Sequence, residues 1–591
     1  MAVPGSGRTL GEAFLQDKVS LGEGRYSQVF MVTHRATGAR RAVKTSKRLG
    51  PQAHTPSPHD LGMECPARLA IHEADILRRL DNPNIVRLHE VIEEKAAVHL
   101  VLELCEGGDV LERILVSNGR LPENEIAALF VQMLQAVWYL HLNGVVHRDL
   151  KPEHFLFSHR EPGRGALPPE LAGMKLIDFG LSHRAGGQFA PDGGTPQFMP
   201  PEAKSGRGCA AEFANRTDIW ALGVVLHAML VGHYPSPKLT DSTQAQYFNM
   251  PSWNGVSRDC LDLLGLLLKQ KPVNRPAAGV ALKHPWAVAA LAAKGSPPEP
   301  LLLCLPQALK SWAAAPGLRR IALLAVAREV DDCEVAGVRR LFQALVRSCE
   351  GMPTGPALLR TSAALAKENP ALSTAVAALA RSLEATATGR SSAGCLGMSG
   401  AGTLTWSELV AVALCSVTSA SPQNKNSGSK VVRDGKNIKG TSAGENGSTA
   451  PPLCEDACWR AFDFLSQSTG VVSVNSLDRL LGQPNASDKG SDFLGIGDGS
   501  MELKKDEQPT LNKALTELVK EVFPAAKVAP AEFLKLARGE VQPGQARSTR
   551  RGKSWTCRLR CPFKFFRCCR CSTASNAPGP PKDTSTANRK L

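Results

Sequence analysis

The 591-residue chain has no uninterrupted apolar run of the roughly 18 residues that a bilayer-crossing helix requires. Its first residues, Met1-Ala2-Val3-Pro4, lack the basic-then-apolar pattern of a secretory leader, and Ala2 stands where N-myristoylation needs glycine. These absences predict a cytoplasmic protein. The 16 cysteines are scattered apart from one terminal cluster, so no disulfide framework is expected and the thiols read as reduced. A net charge of +15 comes without a basic-aromatic platform or a nucleic-acid fold motif, so nucleic acid is not an expected partner. What the chain does have is ordinary globular composition, 43% hydrophobic and 21% charged, over a length that implies about three or four domains.

Two short segments carry the chemistry. Val146-His147-Arg148-Asp149-Leu150-Lys151-Pro152-Glu153-His154 is followed by Ile177-Asp178-Phe179-Gly180. Phosphoryl transfer needs one carboxylate to take the proton of an attacking hydroxyl and another to hold Mg²⁺ against the nucleotide phosphates. Upstream, Leu21 to Phe30 reads Leu-Gly-Glu-Gly-Arg-Tyr-Ser-Gln-Val-Phe, in which Gly22 and Gly24 begin a phosphate-loop pattern with Ser27 in place of a third glycine. Alone, the two glycines describe only a tight hairpin turn. Arg41-Ala42-Val43-Lys44, a β-rich segment ending in lysine, lies at the spacing that makes the pair informative. Glu73 shares a helical face with Ile76, Leu77 and Leu80, in a helix expected over Ile71 to Leu80.

With Gly194-Thr195-Pro196, Pro200-Pro201-Glu202, Asp218-Ile219-Trp220, Arg275 and His284-Pro285-Trp286 in order, residues 14–286 resemble a eukaryotic protein kinase domain. The resemblance implies an α+β two-lobed fold, ATP with Mg²⁺ as cofactors (Mn²⁺ being a possible substitute), and protein substrates. It assigns Asp149 as catalytic base and Lys151 as the cation steadying the phosphoryl group. The nucleotide would meet Gly22, Gly24, Val29, Ala42, Lys44, Glu73, Leu102, Glu103, Cys105 and Asp109, with Asp178 as metal ligand and Glu202 paired with Arg275. One departure stands out: His154 occupies the place of a metal-binding asparagine. Mg²⁺ prefers oxygen ligands and imidazole suits softer ions, so His154 is expected to be a weak metal ligand.

After a Pro-rich break at Gly295 to Pro306, a basic amphipathic stretch from Leu318 to Val330 is similar to the autoinhibitory junction of calcium-dependent protein kinases. That family implies an all-α EF-hand domain to follow. Only remnants are present, in windows Val346 to Ala357, Gly397 to Glu408, Leu465 to Ser476 and Phe523 to Glu532. Ca²⁺ takes six to eight oxygens around a sharp turn, whereas the second window keeps Gly402 and Glu408 but has Gly397, Ser399 and Ala401 at its first ligand positions. Ca²⁺ is therefore not expected as a cofactor. The organisation so predicted is a loose start (1–13), the kinase domain (14–286), a junction (287–330), one degenerate pair (331–415), a flexible linker (416–451), a second pair (452–540) and a disordered basic tail (541–591). Within the tail, Arg550 to Cys571 interleaves cations, aromatics and Cys557, Cys561, Cys568, Cys569 and Cys571 without zinc-site spacing. Basic residues, interfacial aromatics and acylatable thiols together predict attachment to an anionic membrane surface by palmitoylation.

Overall fold

The computed structural model describes residues 9–417, apart from 25–26, 36, 49–65, 118–120, 160–172, 185–193, 206–212, 237–238, 294–296, 316, 331–334 and 388–402. The insertion after Lys44, the third and fourth EF-like windows, the linker and the basic tail lie largely or wholly outside the described residues. The chain opens with α1 (Leu10–Ala13), then β1 (Phe14–Glu23), β2 (Ser27–His34), β3 (Arg40–Lys47), α2 (Pro66–Leu77), β4 (Leu88–Glu93) and β5 (Ala97–Leu102). The five strands form one antiparallel sheet in the order β1-β2-β3-β5-β4.

Strand alternation divides this sheet into two differently covered faces. Ala42, Leu100 and Leu102 join the large core shared with the helical lobe, whereas Val43, Val101, Val32 and Ile92 pack with Ala13 and Phe14 on the other side. Helix α2 begins at Pro66, five residues before the expected Ile71. Proline is accommodated in a first helical turn, and the buried Ala67, Ala70 and Ala74 extend the apolar stripe backward from Leu77.

The helical lobe starts with α3 (Val110–Val116) and α4 (Glu123–Leu142), which deliver the chain to β6 (Val145–Val146). Next come β7 (Phe155–Phe157), β8 (Met174–Leu176) and β9 (His183–Arg184), paired as β6-β9 and β7-β8. Helices α5 (Pro201–Lys204), α6 (Arg216–Val231), α7 (Gln244–Phe248), α8 (Arg258–Leu267), α9 (Ala278–Ala281) and α10 (Pro285–Ala293) complete it. By length and composition α4 is apolar enough to cross a membrane, although polar residues interrupt it and no unbroken apolar run results. It is buried around most of its circumference by the lobe core, from Ile126 to Leu140, which accounts for its apolar character. Arg275 is fully buried, donating to both oxygens of Glu202 at 2.6 and 2.7 Å and to three backbone carbonyls.

A second helical core follows, from α11 (Glu299–Ala314), α12 (Gly317–Ala327), α13 (Ala336–Ser348), α14 (Gly355–Leu365), α15 (Pro370–Ala387) and α16 (Trp406–Val417). The expected Pro-rich break is largely helix. Pro300 lies in the first turn of α11, where its missing N–H costs nothing, and Pro306 is inside. Burial of Leu301, Leu302, Leu305, Leu309 and Trp312 offsets the roughly 3 kcal/mol that an interior proline costs.

Helix α12 lies in the stretch expected as an autoinhibitory junction. Its residues Ala322 to Ala327 are buried in the second helical core, and the chain beyond it meets the outer face of the sheet. Arg328 donates to the Leu88 carbonyl at 3.2 Å, Arg87 donates to the Arg328 carbonyl, and the Glu329 carboxylate pairs with Arg41 and lies 3.1 Å from His89 Nδ1. Because Arg41 alternates with Ala42 and Lys44, Glu329 sits on the opposite side of β3 from the candidate phosphate lysine. Further contacts hold the turn between α2 and β4: Ser407 donates to Asp81 through its N–H (2.8 Å) and hydroxyl (2.9 Å), and Gln343 donates to Asn84 at 3.2 Å.

Candidate nucleotide and phosphoryl-transfer site

Register brings the sequence-predicted nucleotide residues onto one face of the sheet. Gly22 pairs with Val29, Val29 with Lys44, Lys44 with Leu100, and Ala42 with Leu102, and directly opposed residues share a face. Gly24 closes the β1–β2 turn by donating to the Ser27 carbonyl at 2.8 Å. Beyond Leu102 the chain crosses between the lobes. There Gly107 donates to the Phe157 carbonyl, and a Cβ at this position would lie 2.3 Å from the His159 carbonyl, so only glycine fits.

Lys44 Nζ donates at 2.7 Å to Glu73 Oε2 and at 2.7 Å to Asp178 Oδ1, joining β3, α2 and the segment after β8. Burial opposes the Lys44 charge, but the two carboxylates outweigh it and push its pKa up. Burial likewise opposes ionisation of Asp178, and Lys44 overcomes it, holding that carboxyl well below the usual range. Glu73, buried from solvent, is pushed up by burial against the pull of Lys44, and its Oε1 also accepts from the Phe179 N–H at 3.3 Å. Phe179 is fully buried and meets His147 edge-on at a ring separation of 5.0 Å.

The loop carrying Asp149 is held from beneath. Asp218, at the start of α6 and fully buried, accepts from the backbone N–H of His147 (2.9 Å) and Arg148 (2.8 Å), and from His141 at 2.9 Å. Arg148 and Asp178 both adopt positive φ, 71° and 61°, a conformation that costs energy outside glycine and persists where surroundings enforce it. Asp149 Oδ1 accepts from Thr195 N–H and hydroxyl, each at 2.8 Å, while Oδ2 lies 3.5 Å from Lys151 Nζ. Lys151 Nζ is also 3.5 Å from the Thr195 hydroxyl.

His154 is buried at the end of a short 3-10 turn, Pro152–His154. Its Nδ1 donates to the Asp149 carbonyl at 2.7 Å, and its Nε2 lies 3.5 Å from Asp178 Oδ2. Burial pushes its pKa down to about 4, so the ring is neutral at pH 7. The donor set fits a dication carrying nucleotide phosphates: Asp178 supplies a hard oxygen, and the adjacent position offers an imidazole nitrogen instead of an amide oxygen.

Two expected nucleotide contacts have other partners here. The Glu103 carboxylate lies 3.0 Å from Lys175 Nζ and accepts from the Arg87 N–H, so its side chain is engaged with the lobe connection. Asp109 caps α3, its Oδ1 accepting from the Glu112 N–H at 2.7 Å. Cys105 lies between these two residues on the connection. Sequence reasoning missed Asp218 as the anchor of the catalytic loop and Thr195 as a partner of Asp149, although both stood among the ordered landmarks.

The first two EF-like windows meet through a short antiparallel bridge, Thr354 with Thr403, and Leu404 donates to the Pro353 carbonyl at 2.9 Å. Proline has no N–H to return the bond. Glu350 pairs with Lys283 at 2.7 Å, Thr354 caps α14, and buried Glu408 accepts from the Thr405 N–H in a cap of α16. The acidic side chains of these windows are thus engaged in structural contacts.

Two lobes joined by a connection, with a lysine bridged to two carboxylates over a loop carrying a third, define a protein kinase domain. Residues 15–287 match the family model described as protein kinase domain. Over this part the chain is similar to calcium-dependent protein kinases. It is 35% identical over 289 residues to calcium-dependent protein kinase 32 of Arabidopsis thaliana, covering 47% of this chain and 51% of that protein. It is 32% identical over 360 residues to calcium-dependent protein kinase 8 of Oryza sativa subsp. japonica, covering 59% and 62%. Against calcium-dependent protein kinase SK5 of Glycine max it is 31% identical over 335 residues, covering 55% and 60%. The chain thus spans between half and two thirds of the length of the curated relatives it matches.

Proposed function

We propose that this chain is an ATP-dependent protein serine/threonine kinase. The observation that carries this reading is Lys44 Nζ at 2.7 Å from both Glu73 and Asp178 on the nucleotide face of the sheet, below which Asp149 is held by Thr195. When bound, ATP with its dication supplies the phosphoryl group and neutralises its charge. Lys44 orients the phosphates, and Glu73 keeps Lys44 extended toward them. Asp149 takes the proton of the acceptor hydroxyl, and Lys151 steadies negative charge on the transferred group. Glu103 and Cys105 serve the adenine through backbone groups, and Asp109 stands beside the ribose. The substrates are proteins, with no nucleic-acid partner. Transfer of labelled phosphate from ATP to a mixed peptide library, lost in Asp149→Ala, tests the reading.

His154 favours a second reading, a pseudokinase scaffold without phosphoryl transfer. It would show as nucleotide or partner binding with no transfer in a single-turnover assay.

Calcium is not a cofactor in this reading. The window from Val346 to Ala357 offers valine and alanine at its first and last ligand positions, and Glu408 is already engaged in a helix cap. The helices after the kinase domain then act as a calcium-independent EF-like module held to the sheet through Glu329 and to the turn between α2 and β4 through Ser407 and Gln343. The protein is cytoplasmic, attached to an anionic membrane face through the cationic, Cys-containing tail. Palmitate incorporation by the full-length chain, lost with Cys568, Cys569 and Cys571 changed to serine, tests the attachment.

A further inference from the structure

We propose that His154 Nε2 and Asp178 Oδ2 form a mixed nitrogen and oxygen cation position that selects Mn²⁺ over Mg²⁺ at the nucleotide phosphates. This rests on the nucleotide-binding reading above and adds the identity of the ion and the residue that chooses it.

Three features of His154 point this way. First, its orientation is fixed as a metal-ligating histidine's usually is. One ring nitrogen donates to a backbone carbonyl, here Nδ1 to Asp149 at 2.7 Å. That bond holds the tautomer with its lone pair on the other nitrogen and raises that nitrogen's basicity. Because a carbonyl can only accept, Nδ1 must carry the hydrogen.

Second, Nε2 is 3.5 Å from Asp178 Oδ2, beyond the ~2.7–2.9 Å of a charge-assisted N–H to carboxylate bond. Two donor atoms at that spacing can both lie ~2.1 Å from a single dication. The other Asp178 oxygen is already engaged by Lys44 at 2.7 Å, so Oδ2 is the oxygen left to the ion.

Third, the His154 side chain is 8% exposed, inside a site whose other ligands would be phosphate oxygens. Mg²⁺ demands near-octahedral oxygen ligation and pairs poorly with imidazole. Mn²⁺ accepts the hard phosphate and carboxylate oxygens together with one nitrogen, whereas the copper and zinc end of the transition series would want more nitrogen or sulfur than this site holds.

The ligand bond has a mechanistic consequence. Nδ1 reports to the Asp149 backbone, so the ion's position and that of the catalytic base are coupled through one ring.

Electron spin echo modulation on the full-length chain with Mn²⁺ and ADP tests the proposal without relying on turnover. The expected result is a directly coordinated ¹⁴N modulation. Labelling the protein with ¹⁵N-histidine should convert it to the ¹⁵N pattern, which assigns the nitrogen to histidine without any substitution. His154→Asn should abolish the modulation and move the ratio of Mn²⁺- to Mg²⁺-supported ADP affinity toward Mg²⁺ by about tenfold. Bound Mn²⁺·ADP without a histidine nitrogen would overturn this inference and leave the kinase reading standing. A chain that binds no nucleotide with either ion would overturn both.

Discussion

Removing the Glu329 carboxylate should loosen the attachment of the helical module to the kinase sheet. The side chain is 3% exposed and is shared by Arg41, itself 17% exposed, and His89. Two more cations are close: Arg87 donates to the neighbouring Arg328 carbonyl, and burial lowers the Arg328 guanidinium pKa. In Glu329→Ala the half-buried Arg41 loses its counter-charge, and removing one partner of a fully buried pair costs about 3–5 kcal/mol, which sets the upper bound here. Most of that cost is the stranded cation, so Arg41→Met in the same background should recover part of it. A double-mutant cycle should therefore give a coupling of about 1–3 kcal/mol. The assay is thermal unfolding of the full chain, with protease sensitivity of the segment after Ala327 as a local readout. Wild-type melting in Glu329→Ala, or a coupling near zero, would refute the buried clamp.

Ser407→Ala removes one of two hydrogen bonds to the Asp81 carboxylate and should cost about 1–2 kcal/mol, read as a lower melting temperature with the Asp149 loop unaffected. Micromolar Ca²⁺, the range in which sensor EF-hands saturate, should leave melting and activity unchanged, and a calcium-dependent rise in melting temperature would contradict the reading of the loops. Stability should fall as pH drops from about 6.5 toward 4. Buried His89 and His227 have folded pKa values lowered to about 4, so the unfolded chain binds more protons in that window. Each loses up to about 2 kcal/mol by pH 5, and a flat pH–stability profile would contradict the assignment of neutral buried rings.

The kinase landmarks were legible because each is a short string whose residue types are dictated by chemistry: a lysine at the end of a β-rich segment, a carboxylate after His-Arg, another before Phe-Gly. The sheet register then required only alternation, which put Val29, Ala42, Lys44 and Leu102 on one face. Contacts between distant segments left no such string. Nothing local marks Asp218 as the acceptor for two catalytic-loop amides, or Glu103 as a partner of Lys175, because those roles arise from packing across the lobe. The stretch from Gly295 to Pro306 misled for a physical reason. Prolines punctuate exposed chain, but here burial of Leu301, Leu305, Leu309 and Trp312 outweighs the lost hydrogen bond. The amphipathic pattern of Leu318 to Val330 was legible as a helix, while which surface it would cover was not. That depended on Arg41 and His89, far away in sequence and brought together only by the sheet.

Phosphoryl transfer at the site around Lys44, Asp149 and Asp178 is the activity proposed for this chain. A single-turnover assay with full-length chain in excess over labelled ATP, run with Mg²⁺ and with Mn²⁺, tests it most directly. Labelled phosphate should appear on serine or threonine of a protein acceptor, faster with Mn²⁺, and should be absent with Asp149→Ala. Nucleotide bound with no phosphoryl transferred under either ion, or equal transfer by Asp149→Ala, would contradict it.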